Sequence, residues 1–84
     1  MAVVTTTVNL TADTWTQIST GQANVLVQRL SGIIRVAVKA TAPSGAVGHI
    51  LDDDQSSISF GSLAATDLVW ALSSNEAQKI VVTA

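Results

Sequence analysis

The sequence predicts an all-β domain, an antiparallel β-sandwich of seven or eight short strands. Three observations predict it. Apolar residues recur at every second position, the period of a strand with one face buried. The runs are rich in Val, Thr and Ile, whose branched side chains suit a pleated sheet. Turn signals interrupt them about every 8–12 residues, the spacing of sandwiches and barrels.

In chain order, Val4, Thr6, Val8 and Leu10 alternate with Val3, Thr5, Thr7 and Asn9 in the first strand. Thr11, Ala12 and Asp13 make a turn before a short second strand over residues 15–19. Thr20, Gly21 and Gln22 turn the chain into a third strand over 25–30, closed by Ser31-Gly32, a pair suited to a tight hairpin. The fourth strand, 33–39, places Ile34, Val36 and Val38 on one face and Ile33, Arg35, Ala37 and Lys39 on the other. Residues 40–48 hold the only proline and two of the five glycines, and read as an exposed loop.

Residues 49–51 start a short strand that ends at the acidic turn Asp52, Asp53, Asp54. A strand over 56–60 follows, then a connection at 61–66 with room for one helical turn. Leu68, Trp70 and Leu72 alternate with Asp67, Val69 and Ala71, which places Trp70 in the core. A turn at 73–76 leads to the last strand, 79–83. The pattern fits a jelly roll and an immunoglobulin-like sandwich alike.

At 84 residues the chain is a single domain, 1–84. Cysteine is absent, which excludes disulfides and thiolate metal sites. Charged residues make up 12% of the chain, where roughly 25% is usual, while 48% are hydrophobic. So neutral a surface favours association, so a homo-oligomer is expected. The four basic residues, Arg29, Arg35, Lys39 and Lys79, are scattered under a net charge of −2, against any nucleic-acid role. No apolar run reaches the roughly 20 residues a membrane helix needs. The opening MAVVTTTVNL has neither the basic nor the apolar region of a secretory signal.

Catalytic patterns fail in turn, so no enzyme, no cofactor and no catalytic, cofactor-binding or metal residues are expected. His49 has serines and Asp52 nearby in sequence, but the chain lacks the G-x-S-x-G elbow of a nucleophilic serine. The glycines are isolated and form no phosphate loop. Asp52, Asp53 and Asp54 offer oxygen ligands without calcium-loop spacing, and read as a solvated turn. Contact is expected instead at the 40–48 loop, where Ala42, Ala46 and Val47 flank Pro43, and at the Val3, Thr5, Thr7 face of the first strand.

Three stretches carry a family resemblance. They are V-N-L-T-A-D-T-W-T-Q-I-S-T-G (8–21) with V-L-V-Q-R-L-S-G (25–32), V-A-V-K-A-T-A-P-S (36–44), and D-L-V-W-A-L-S-S (67–74) with I-V-V-T-A (80–84). Together they span most of a chain that resembles short virion structural proteins of tailed bacteriophages. The resemblance implies a capsid decoration protein, a head fibre or knob, or a tail-associated module. It carries over no catalytic residue. It implies a protein made in the host cytoplasm, assembled into the virion, and partnered with itself and with a capsid or tail protein; a trimer or a larger cluster is the expected homo-oligomer. A rival reading is a receptor- or glycan-binding module of a tail or fibre, for which Trp15 is the candidate sugar contact.

Overall fold

The computed structural model describes residues 4–19, 22–45 and 47–84. Eight strands run in order: β1 (Thr5–Leu10), β2 (Thr16–Ser19), β3 (Val25–Arg29), β4 (Ile34–Lys39), β5 (His49–Leu51), β6 (Ser57–Phe60), β7 (Leu68–Ser73) and β8 (Gln78–Thr83). Their ends fall within about two residues of the predicted runs, the usual uncertainty of boundaries read from alternation. There is no helix among the described residues. The 61–66 connection is a turn instead: the Asp67 carboxylate accepts from the Ala64 N–H while the Asp67 N–H donates to the Ala64 carbonyl, both at 2.9 Å.

The strands form two four-stranded sheets, β1-β8-β3-β6 and β2-β7-β4-β5, with every pairing antiparallel. The pairs β1 with β8, β2 with β7, β3 with β6, and β4 with β5 are nested, as in one long hairpin folded at the 40–48 loop. Rolling that hairpin brings β3 against β8 and β4 against β7. This winding is a jelly roll. An immunoglobulin-like arrangement, with its strands split differently between the sheets, is thereby excluded.

In this winding every connection except 40–48 carries the chain from one sheet to the other. The Ser31-Gly32 hairpin predicted from sequence is therefore absent, because β3 and β4 belong to different sheets. A turn between sheets and a turn within one sheet use the same residues, so local sequence does not separate them. Gly32 adopts φ +73, a left-handed conformation that glycine takes at no steric cost. The corner is held by the Arg29 Nε–H donating to the Gly32 carbonyl and by Ser31 Oγ donating to Gln78 Oε1 at 2.6 Å.

The core between the sheets is aliphatic but for the buried serines Ser73 and Ser19. Leu10, Val25, Val27, Ile34, Val36, Leu51, Val69, Ala71, Ile80 and Val82 form it, and Val8, Ile18, Val38, Ile58, Phe60 and Leu63 close its margins. Each fully buried branched side chain contributes on the order of 1.5–3 kcal/mol through removal from water. Trp70 is not among them, contrary to the sequence reading. On β7 it is Val69, Ala71 and Ser73 that point inward, and Leu68, Trp70 and Leu72 that point out. Both faces of β7 are apolar, so alternation alone does not choose between them. The slender face fits a thin core already filled by Val and Ile.

Candidate functional site

Alternation puts a second set of side chains on the outside of each sheet, and the two outer faces differ in kind. On β1-β8-β3-β6 the outward residues are Thr5, Thr7 and Asn9, Lys79, Val81 and Thr83, Leu26 and Gln28, and Ser57 and Ser59. Hydroxyls and amides dominate, and Thr5 and Thr83 share a hydrogen bond between side-chain oxygens at 3.0 Å.

On β2-β7-β4-β5 the outward residues are Gln17, then Leu68, Trp70 and Leu72, then Arg35, Ala37 and Lys39, then Ile50. Trp70 stands opposite both Gln17 and Ala37, and Arg35 stands between Leu72 and Ile50. Two of the chain's four cations lie on this face, and its strands carry no carboxylate. Among the described residues neither Arg35 nor Lys39 meets an acid; the ion pair of the fold joins Arg29 to Asp53 at 2.6 Å, elsewhere.

The 40–48 loop is tied to this apolar face by both tryptophans. The Trp70 indole N–H donates to the Lys39 carbonyl at 3.1 Å, at the root of the loop. The Trp15 indole N–H donates to the Gly45 carbonyl at 3.2 Å, near its far end. The chain then returns over β4 at Gly48, with φ +92, where a Cβ would sit 2.6 Å from the Val36 carbonyl oxygen and 3.2 Å from the Ala37 Cβ. Only glycine allows so close a return.

The predicted contact residues are thereby separated. Val3 and Ala46 lie outside the described residues. Thr5 and Thr7 are exposed on the outside of one sheet, while Ala42 and Val47 are exposed on the loop beside the other. Pro43 is buried within the chain, a correction to its reading as exposed contact surface: the loop that carries it is bonded back to Trp15 at Gly45. Trp15 is half-buried and its indole N–H is engaged by the Gly45 carbonyl, so it ties down the loop. The face formed by Trp70, Leu68, Leu72 and Ile50 with Arg35 and Lys39 was missed. Its signal was present in the outward set of β4, which joins two cations to Ala37.

Groups with catalytic potential are dispersed. His49 is exposed and tilts onto the Phe60 ring, with centroids 6.0 Å apart. Asp52 caps its own turn, accepting from the Asp54 and Gln55 N–H groups at 2.9 and 3.1 Å, and Asp53 pairs with Arg29. Among the described residues no three His, Asp or Glu side chains gather as a metal ion would require. No family model, no curated protein and no solved structure matches the chain.

Proposed function

We propose that the chain is a non-enzymatic structural subunit of a tailed-phage virion, a homo-oligomer that decorates the capsid surface through the outer face of its β2-β7-β4-β5 sheet. The observation that carries this reading is the composition of that face. Half-buried Trp70 and Leu68 and exposed Ile50 share it with two cations that meet no carboxylate among the described residues, while Leu72 and Ala37 beneath are buried. Aromatic, aliphatic and arginine side chains on a cleanly bounded patch are the make-up of an interface core. The matching partner is a protein surface that offers apolar contact and carboxylates. Ala42 and Val47 on the adjoining loop extend the patch.

The jelly-roll winding agrees with this role, since viral capsid domains recur on it, although lectins and enzymes share the architecture. The glycan-binding alternative rests on Trp15, whose half-burial and bond to Gly45 weigh against it. The test is peptide mass spectrometry of gradient-purified particles from cells producing the chain. Stoichiometric presence alongside the major capsid protein is expected. Absence from intact particles would remove the virion role.

A further inference from the structure

A jelly roll of two open sheets leaves four edge strands, here β1, β2, β5 and β6. Exposed edges invite pairing with other chains, and proteins guard them by shortness, bulges or charge. Three of the four are guarded. β2 has four residues with a register shift between Gln17 and Ser19. β5 has three and runs into the Asp52–54 turn, and β6 has four. β1 has six residues, no charge, no proline, and one unbroken register with β8.

The register fixes which backbone groups β1 leaves open. Val4 and Ala84 exchange both N–H···O=C bonds, at 2.9 and 3.0 Å. Bonded pairs alternate along an antiparallel ladder, so Thr6, Val8 and Leu10 also bond to β8. Thr5, Thr7 and Asn9 then turn their N–H and C=O groups to the open edge, where no described residue meets them.

We propose that this edge pairs antiparallel with the same edge of a second copy about a twofold axis through Thr7. Centred there, Thr7 faces Thr7, and Thr5 faces Asn9 in both directions. These three facing pairs would exchange about six main-chain hydrogen bonds. Shifting the register by one bonded pair either way loses a third of them within β1. The side chains meeting at the seam are Thr against Thr and Thr against Asn, with no like charges opposed. A second copy suits the edge because the match is isologous and closes, whereas pairing β1 with the four-residue β6 of a neighbour would be shorter and open-ended.

The pairing creates one continuous eight-stranded sheet. Its axis runs perpendicular to that sheet, because Thr7 points outward in both copies. The two tryptophan-bearing faces therefore look the same way, and the dimer is bivalent for one surface, which raises avidity without new contacts. The bivalence rests on the docking role proposed above; the pairing itself does not.

Light scattering over a dilution series tests the pairing. The wild type should hold twice the 8.7 kDa chain mass. Thr7→Pro should return 8.7 kDa with an unchanged circular dichroism spectrum, since it removes an N–H that β8 does not use. Should Thr7→Pro misfold, Thr7→Lys keeps the amide but opposes two ammonium groups at the axis. It should dissociate the dimer at low salt and restore part of it at high salt. A wild type of 8.7 kDa at every concentration, or an oligomer that survives folded Thr7→Pro, or folded Thr7→Lys at low salt, would overturn the pairing. A dimer absent from particles would leave the pairing standing and remove the virion role, and a particle-bound monomer would do the reverse.

Discussion

The two outer faces of this sandwich rest on the same core and the same backbone geometry, yet they behave as different materials. The β1-β8-β3-β6 face is mostly Thr, Ser, Asn and Gln, with Lys79, Val81 and Leu26 set among them. The β2-β7-β4-β5 face is a second, thin apolar layer. Ala37 and Leu72 point away from the core and are still only 7% and 8% exposed, because the returning loop and their neighbours cover them. A face that buries apolar groups on the outside of a sheet already costs stability to disturb, and its exposed remainder, Ile50 and Val47, is available to a partner. On the readings proposed above, lateral pairing belongs to one sheet and docking to the other.

The comparison can be broken most severely from the core that both faces share. Ile34→Ala empties a fully buried position on β4 and should cost about 2–5 kcal/mol, read from the midpoint of urea unfolding. A cost below about 1 kcal/mol would mean that the sheets are not packed on these residues. Gly48→Ala should cost about 1–3 kcal/mol, since it meets both a left-handed φ and the Val36 carbonyl. Its damage should be confined to the loop, visible as faster hydrogen exchange of residues near 40–48 while the β1 and β8 amides stay protected.

Trp70→Ala sharpens the contrast between the faces. It removes a half-buried indole and its bond to Lys39, for about 1–3 kcal/mol by the same unfolding assay. Gln28→Ala, at an exposed outward position on the other sheet, should change stability by less than about 0.5 kcal/mol. Equal costs for the two would erase the distinction drawn between the faces.

These effects were unequally legible in the sequence. Strand positions were, because period-two alternation and β-branched runs act locally and need no knowledge of partners. The turn at Ser31-Gly32 shows where that stops. Its residues permit a hairpin, but the distant pairings of β3 with β8 and of β4 with β7 decide that it is a corner. Trp70 marks a second limit: with Val69 and Ala71 on one face and Leu68 and Leu72 on the other, hydrophobicity had no sign to give. The inward choice depends on how much space the facing sheet leaves. Loops are usually exposed, yet Pro43 is buried, in a loop bonded at both ends by Trp15 and Trp70, each about 30 residues distant in sequence. Alternation groups Thr5 and Thr7 on one face of the first strand, but that β1 is an edge is visible only in the strand order.

Co-sedimentation with particles tests the docking face most directly, comparing the wild type with the charge-reversed Arg35→Glu/Lys39→Glu variant. Both substitutions lie on outward positions of β4, away from the core, and folding of the variant is checked by circular dichroism. The wild type should pellet saturably with particles stripped of their own copies, and the folded variant should bind at least tenfold more weakly. Equal pelleting of the two, or no saturable pelleting of the wild type, would contradict the assignment of this sheet as the surface that meets the shell.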